Sequence, residues 1–113
     1  MVKTADSSAL KHLKIIDLTR VRAGSTCVRF FADFGAEVLK VESPDGVEAN
    51  EGVIGPRDNY DNLNLHRNKR SLTLNFKEPE GLQILYQLVK DADVVIENFR
   101  PDVKNRLKID YET

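Results

Sequence analysis

The sequence has few of the residues that mark extracellular, metal-binding or redox proteins. Its 113 residues include one cysteine, Cys27, and no tryptophan. A single cysteine cannot form an internal disulfide or a cysteine-rich zinc site, which fits a reducing compartment, and we expect the protein in the cytoplasm. His12 and His66 stand alone, with no second ligand at metal-binding spacing. We therefore predict no metal site.

Neither an excess of one charge nor a long apolar run is present. The 17 basic and 18 acidic residues give a formal net charge of −1, which does not support nucleic-acid binding. No stretch approaches the roughly 20 apolar residues of a membrane-spanning helix, and the N-terminus lacks the apolar segment of a secretory signal. We expect neither nucleic acid nor membrane as a partner.

Strand and helix patterns alternate in the first part of the chain. We predict a flexible leader over residues 1–10 and a domain over residues 11–113, which opens with a strand over 11–18. A helix follows, with Ser25 as its N-cap and Gly35 as its stop. A second strand then follows the glycine, over residues 37–42, and completes a βαβ unit.

The second part begins with a long segment, residues 43–65, whose Gly, Pro, Asn and Asp content predicts an irregular loop. A half-exposed strand is predicted over 71–76 and a helix from Pro79. Residues 93–99 form a final strand whose apolar run suits cover on both faces, and residues 100–113 are a polar tail. Alternating strands and helices predict an α/β fold with βαβ units and a mainly parallel sheet.

Apolar residues at helical spacing predict which face of each helix is buried. For the first helix these residues are Cys27, Phe30, Phe31 and Phe34, and for the second they are Leu82, Leu85, Leu88, Val89 and Ala92. We accordingly interpret Cys27 as a packing residue and not as a nucleophile.

The turn over residues 19–25 is the first candidate for ligand binding. It follows a strand and opens a helix, where N–H groups and the helix dipole favour an anion, and Arg20 and Arg22 add positive charge. It contains neither a G-x-G-x-x-G nor a Walker A sequence. An ordinary βα connection with solvated arginines is the alternative.

Other candidates lie near the ends of the later strands, where open α/β sheets bind ligands. Lys69, Arg70 and Lys77 flank the third strand and either face phosphate groups or form a solvated surface. Phe99, at the end of the last strand, either stacks on a base or packs in the core. None of the carboxylates stands in a context that marks a nucleophile.

Six blocks occur in an order that resembles the opening of a class III CoA-transferase (CaiB/BaiF type). They are LKIIDLTRV (13–21), AG (23–24), FADFGAEVLKVE (31–42), NKRSL (68–72), KEPEG (77–81) and ADVVIENFRP (92–101). Each block is weak alone, but the ordered set is specific.

The resemblance implies the Rossmann-like N-terminal part of a larger fold in which two chains interlock as a homodimer. Members transfer CoA between carboxylic acids through acyl-aspartyl and glutamyl-CoA anhydride intermediates, with an acyl-CoA and a carboxylic acid as substrates and no cofactor. A fragment of a 2-methylacyl-CoA racemase and a non-catalytic nucleotide- or CoA-binding module are the alternatives. The family's catalytic aspartate is expected beyond Thr113, so no catalytic residue is assigned here.

The resemblance also implies a set of coenzyme A contacts. The pantetheine and thioester end would lie beside the turn, the adenosine side beside the third strand, and a phosphate at the end of the chain. The residues that carry these roles are Val21, Arg22, Ala23, Leu74, Lys77, Asn98, Phe99 and Arg106.

Overall fold

A computed structural model describes residues 8–44 and 58–113 of the chain. Its strands are β1 (Lys14–Asp17), β2 (Glu37–Glu42), β3 (Arg70–Thr73) and β4 (Val94–Ile96). Its helices are α1 (Ala23–Asp33), α2 (Tyr60–Leu65), α3 (Pro79–Lys90) and α4 (Pro101–Leu107). The predicted α/β class is confirmed.

The four strands form one parallel sheet in the order β3-β2-β1-β4. From β1 the chain moves outward to β2 and β3, and then crosses back to place β4 on the other side of β1. This is the strand order that opens a doubly wound nucleotide-binding sheet. Because the chain adds β2 and β3 on one side of β1 and then β4 on the other, a crevice is expected at the carboxyl ends of β1 and β4.

Two hydrophobic clusters cover opposite faces of the sheet. The buried residues of the α1-side cluster are Ile15, Val28, Ala32, Ala36 and Val38, and those of the α3-side cluster are Ile16, Leu18, Val41, Leu74, Phe76 and Leu85. Ile15 packs with Val28 of α1, whereas its neighbour Ile16 packs with Leu85 of α3. Consecutive residues of a strand point to opposite faces, so each isoleucine anchors one helix layer. The sheet therefore lies between α1 on one face and α3 on the other.

Helix α1 begins at Ala23, and not after Ser25 as predicted. Its N-cap is Arg22, and Ser25 lies inside the helix with a buried side chain. Val28 is buried as well, whereas the predicted packing residue Cys27 is exposed. The residues of α1 that are buried are Ser25, Val28 and Ala32, so the interpretation of Cys27 as a packing residue is wrong.

The bulky residues of α1 lie largely outside this contact. Phe30 and Phe34, which the helical spacing assigned to the buried face, are each 53% exposed. Phe31 is partly buried and packs against the α1-side cluster. The predicted face is therefore correct for one of these three aromatic residues.

The predicted helix stop at Gly35 is confirmed. Gly35 follows the C-cap Phe34 and has a φ of 97°, a left-handed conformation that favours glycine. Its N–H donates to the carbonyl of Ala32, and the N–H of Ala36 donates to the carbonyl of Phe31, both at 3.0 Å. These two bonds form a Schellman motif, which turns the chain into β2 at the predicted bounds.

A helix lies in the segment predicted as an irregular loop. Helix α2 occupies the end of residues 43–65, and that part of the prediction is wrong. The side chain of Asn59 caps α2 by accepting the N–H of Asn62 at 2.8 Å, and Leu65 is buried. Residues 45–57 of the predicted loop lie outside the described residues.

The predicted polar tail also contains a helix. Pro101 is the first residue of α4, a position where its missing N–H costs nothing. Leu107 and Ile109 pack against the α3-side cluster, so two apolar contacts hold a segment whose composition is mainly polar. The prediction of a tail over residues 100–113 is wrong for this reason.

The predicted leader is only partly within the described residues, which begin at Ser8. Leu10, its last residue, donates its N–H to the carbonyl of Phe34 at 2.9 Å and packs against the α1-side cluster. Residues 1–7 lie outside the described residues.

Strand β4 forms one edge of the sheet. It is shorter than the predicted strand over residues 93–99, and Val94 and Val95 are 38% and 39% exposed. Within residues 8–44 and 58–113, the predicted cover on both faces of this strand is therefore not found.

Candidate functional site

The crevice between β1 and β4 is bordered by the β1–α1 turn, residues 18–22. Helix α1, which follows this turn, has no side-chain cap and no acidic residue in its first turn. The first N–H groups of a helix have no partner within the helix, and they carry a partial positive charge. The start of α1 is therefore compatible with the predicted binding of an anion.

Asn98, which follows β4, holds this turn by two hydrogen bonds. The N–H of Arg20 donates to Asn98 Oδ1, and Asn98 Nδ2 donates to the carbonyl of Arg20, both at 2.8 Å. The N–H of Leu18 donates to the carbonyl of Ile96 at 2.9 Å. Both walls of the crevice are thus joined at its base.

The side chain of Arg20 folds back onto the sheet. Its Nη1 donates to the carbonyl oxygens of Leu18, Thr19 and Val41 at 3.2, 3.3 and 3.2 Å. Its guanidinium carbon lies 5.4 Å from the centre of the Phe99 ring, within the range of a cation–π contact. Arg20 therefore stabilises the ends of β1 and β2, and its sequence-based role as added charge for an anion is not supported.

The turn contains two unusual backbone positions. Val21 has a φ of 59°, which costs a β-branched residue about 1–3 kcal/mol and persists only where the surroundings hold it. At Gly24, a Cβ atom would lie 2.6 Å from Thr19 Cβ and 3.2 Å from Asn98 Nδ2. A glycine is therefore needed for α1 to begin this close to β1.

Beneath the turn, two lysines share one buried carboxylate, and we call Asp17, Lys40 and Lys69 the Asp17 cluster. Asp17 is 0% exposed, and the ammonium group of Lys69 lies 2.9 Å from its Oδ2. Lys40 Nζ lies 3.5 Å from Asp17 Oδ1. The N–H and hydroxyl of Thr19 donate to the same Oδ1 at 2.9 and 2.6 Å.

Both lysines of the cluster also contact the backbone around the turn. Lys69 Nζ donates to the carbonyl of Ser25 at 3.1 Å, and Lys40 Nζ donates to the carbonyl of Thr19. Their side chains are 1% and 6% exposed. The cluster is thus enclosed by the protein, between β1, β2 and the first turn of α1.

Burial disfavours the charged forms of Asp17 and Lys40, the two groups of the cluster whose pKa is shifted. Burial alone raises the pKa of Asp17, but Lys40, the Thr19 hydroxyl and Lys69 together outweigh it, so this pKa lies below its usual value. Burial lowers the pKa of Lys40 to about 8; Asp17 attracts the charged form, while Arg20 and Lys69 repel it. At neutral pH Asp17 is therefore ionised and Lys40 carries a positive charge, so the two attract each other beneath the turn.

The structure brings five of the eight predicted contact residues to the crevice. They are Val21, Arg22, Ala23, Asn98 and Phe99. Arg22 is 63% exposed in its side chain and makes a two-point ion pair with Asp61 of α2. Phe99 is half-buried beneath Arg20 and packs against the α3-side cluster.

The other three predicted contacts lie elsewhere. Leu74 is buried in the α3-side cluster, and its N–H donates to the carbonyl of Glu42 at 2.9 Å, so its side chain does not border the crevice. Lys77 is exposed in the loop before α3. Arg106 is exposed on α4.

Of the two basic residues around the start of β3, Lys69 has a role that neither sequence-based interpretation included, whereas Arg70 is exposed, in agreement with the solvated-surface alternative. Lys69 belongs to the buried Asp17 cluster, so it is neither a solvated residue nor a phosphate contact. Arg70 pairs with Glu37 at the amino-terminal edge of the sheet, where a cavity of about 120 Å³ lies between β2 and α3. That edge is opposite to the crevice.

The Asp17 cluster was not predicted from the sequence, although two of its members carry a signal there. Asp17 and Lys40 are partners in the register of β1 and β2, and period-two alternation places them on the same faces as Ile15 and Val38. Two charged residues in phase with buried residues indicate a buried pair. Nothing in the local sequence marks Lys69 as the third member.

Residues 8–44 and 58–113 hold no group of three or more His, Cys, Asp or Glu side chains placed to bind a metal ion. In the same ranges, no helix is long and apolar enough to cross a membrane.

The strand order β3-β2-β1-β4, with helices on both faces, defines a doubly wound α/β protein. Residues 10–113 match the family model described as CoA-transferase family III, and the chain belongs to this family. It is similar to an acyl-CoA transferase of Fusarium pseudograminearum (strain CS3096), at 44% identity over 98% of this chain and 27% of the relative.

Two further proteins extend the comparison. A formyl-CoA:oxalate CoA-transferase of Bradyrhizobium sp. (strain ORS 278) is 40% identical over 94% of this chain and 26% of the relative. The crystal structure of a CAIB/BAIF family protein from Brucella suis superposes with a TM-score of 0.76 at 35% identity, over 96% of this chain and 30% of that one. The chain spans about a quarter of the length of the curated relatives it matches.

Proposed function

We propose that the chain is the coenzyme A-binding part of an enzyme that transfers CoA between carboxylic acids. Family membership and the names of the two curated relatives support CoA transfer. The observation that carries the proposal is the β1–α1 turn, which Asn98 holds at the crevice where doubly wound sheets bind nucleotides. The acyl-CoA and the carboxylic acid are the proposed substrates.

In this proposal, the thioester end of CoA lies beside Val21, Arg22 and Ala23, and Asn98 and Phe99 border it. The adenosine side lies toward the end of β3, near Leu74 and Lys77, while Arg106 contacts a phosphate. The ends of β1 and β3 are two strand spacings apart, about 10 Å, and an extended CoA molecule is long enough to span them.

The contacts in the structure restrict how these residues act. Leu74 is buried, so it would meet the ligand through its main chain. Arg22 would have to exchange its ion pair with Asp61 for a ligand group. A surface ion pair of this kind contributes about 0–1 kcal/mol to stability, so opening it costs little free energy.

We propose that the whole enzyme works through acyl-aspartyl and glutamyl-CoA anhydride intermediates and as a homodimer. None of the described residues is assigned as the aspartyl nucleophile. Asp17 is fully buried, and its oxygens accept bonds from Thr19, Lys40 and Lys69, so no substrate carbonyl can reach it. The chain alone is therefore proposed to lack turnover, which an assay with several acyl-CoA donors and carboxylate acceptors tests.

An NMR titration tests the binding site. Coenzyme A and pantetheine should both shift the amide signals of Val21, Ala23 and Gly24, whereas ATP, which lacks the pantetheine arm, should not. We expect an affinity in the high-micromolar to millimolar range, about −4 to −6 kcal/mol. If all three compounds shift the same residues, or none does, the proposed orientation of CoA is wrong.

A further inference from the structure

The Asp17 cluster contacts both ends of the segment that forms the proposed CoA site. Lys40 binds the carbonyl of Thr19, where the chain leaves β1, and Lys69 binds the carbonyl of Ser25, in the first turn of α1. Asp17 links the two ammonium groups. The hydroxyl groups of Thr19 and Ser25 also lie 3.3 Å apart, so the two ends are held from below at several points.

A cluster of this kind is not needed to pack α1 on the sheet. Taking charged groups out of water is unfavourable, and apolar side chains of similar volume often stabilise a fold as well or better. Ile15 and Val38 already supply an apolar contact with α1 on the same face. The three charges therefore call for a role beyond packing.

The segment between the two anchored ends contains the strained position Val21. A left-handed φ at a β-branched residue persists only where the surrounding structure fixes it, and such strain occurs mainly at functional sites. Asn98 fixes Arg20 from the side of β4, but Val21 itself makes no main-chain hydrogen bond among those found in the described residues. Its conformation depends on how the flanking residues are held.

We propose that Asp17, Lys40 and Lys69 are positioning residues that hold the β1–α1 turn in its ligand-binding conformation. The cluster fixes Thr19 and Ser25, and thereby sets the direction in which Val21 and Ala23 present their N–H groups to the crevice. This role rests on the proposed CoA site, because it specifies how that site is kept in shape before the ligand arrives.

The variant Lys69→Met tests this role. Methionine is close to lysine in length and removes the bonds to Asp17 and Ser25, while Lys40 and Thr19 still contact the carboxylate. In the ligand-free chain, the Cα and Cβ chemical shifts of Val21 should move away from left-handed values. The affinity for coenzyme A should fall about tenfold, the size of a lost hydrogen bond to a charged group.

Two matched variants separate positioning from general effects. Lys11→Met removes an exposed lysine before β1 and should change neither readout. Leu85→Val loosens the core under α3, and it should lower stability without moving the Val21 signals. Loss of CoA affinity in Leu85→Val as large as that in Lys69→Met would mean that the cluster acts only through stability.

The positioning role and the proposed function can fail independently in these experiments. Unchanged Val21 shifts in a folded Lys69→Met chain overturn the positioning role, whatever CoA does. If the unaltered chain does not bind coenzyme A, the proposed function fails, and the Val21 shifts of the ligand-free variant still decide the positioning role.

A pH titration of the unaltered chain covers the case in which Lys69→Met does not fold. Raising the pH of the unaltered chain removes the Lys40 proton with a midpoint of about 8. Asp17, Arg20 and Lys69 are the charged groups that act on Lys40. The ring of His66 lies 3.5 Å from Lys69 Nζ, so His66→Gln serves as the control for an effect of that ring. Signals of Val21 and Ala23 should move with that midpoint, and movement confined to β2 overturns the proposal.

Discussion

Arg20 and Asn98 are 78 residues apart in the sequence and form two reciprocal hydrogen bonds of 2.8 Å. The side-chain amide of Asn98 takes the place that a strand residue would have beside Arg20, since it both accepts from the main-chain N–H and donates to the carbonyl. The β1–α1 turn therefore continues the contact between β1 and β4 beyond the end of the ladder. Any movement of β4 along its axis moves the turn as well.

Asn98→Ala removes both of these bonds and should lower the free energy of unfolding by about 1 kcal/mol, because exposed hydrogen bonds have small net contributions. Asn98→Asp keeps the acceptor for the Arg20 N–H but places a carboxylate oxygen against the Arg20 carbonyl, so it should not restore stability. Urea unfolding measures both effects. Asn105→Ala, an exposed position on α4, is the control, and equal stability of Asn98→Ala and the unaltered chain would contradict the prediction.

In Gly24→Ala, a gain in helix propensity is opposed by a steric clash with Thr19. Alanine is favoured over glycine in a helix by about 1 kcal/mol, but here its Cβ would lie 2.6 Å from Thr19 Cβ and Cγ2. Because a branched Cβ cannot rotate away, we expect α1 to shift and stability to fall by about 1–3 kcal/mol. Thermal unfolding gives the sign directly, and a variant more stable than the unaltered chain would show that the contact relaxes without cost.

Local signals in the sequence predicted those elements that local chemistry determines. Gly35 predicted the end of α1 because its left-handed conformation closes the helix, and Pro79 predicted the start of α3 because it needs no N–H there. The bounds of β2 followed from its flanking residues. The alternation of strand and helix patterns predicted the α/β class, and the ordered blocks of the family resemblance added the proposed ligand, which the alternation did not supply.

Contacts between distant residues account for what the sequence did not predict. The buried face of α1 follows from how the helix lies on the completed sheet, which buries Ser25 and Val28 and leaves the larger Phe30 exposed. Lys69 comes from a segment 52 residues after Asp17, so its burial depends on the completed sheet. Arg22 was predicted at the site, but its pairing with Asp61 requires α2, which the sequence did not indicate.

The stability of the chain should rise with pH between about 8 and 10.5, because of Lys40. Its pKa is about 8 in the folded chain, against the usual 10.5, so in this range the unfolded chain binds a proton that the folded chain has released. Stability increases with pH wherever the unfolded state binds more protons. The gain across the window is on the order of 3 kcal/mol.

The pH dependence of stability is compared with that of Lys40→Met, because groups other than Lys40 that titrate at high pH are present in both chains. Urea unfolding at several pH values from 7 to 10.5 should show the rise in the unaltered chain and a flatter profile in the variant. Asp17 keeps its bonds to Lys69 and Thr19, so the variant should be no less stable at pH 7. Identical pH slopes for the two chains would show that Lys40 does not carry the effect.

Arg106→Ala should weaken binding of coenzyme A more than binding of dephospho-CoA if Arg106 contacts the 3′-phosphate. An arginine can bond a phosphate at two points, and the contact should weaken as salt is added. NMR titration with the two ligands at low and high salt measures this difference. Lys90→Ala, an exposed cation at the end of α3, is the matched control, and equal losses for both ligands would contradict the phosphate contact.

Asp61→Asn tests whether the guanidinium of Arg22 takes part in ligand binding. Asp61 now holds Arg22 by a two-point ion pair, and that pair must open before Arg22 can reach a ligand in the crevice. Removing the carboxylate charge releases the arginine, so affinity for coenzyme A should rise by up to about fivefold, the range of an exposed ion pair. The same change in an Arg22→Met background should have no effect on affinity, because no guanidinium remains to be released. A fall in affinity in Asp61→Asn would mean that the ion pair itself shapes the site, with α2 fixed against the turn by Arg22, and that the arginine does not contact CoA.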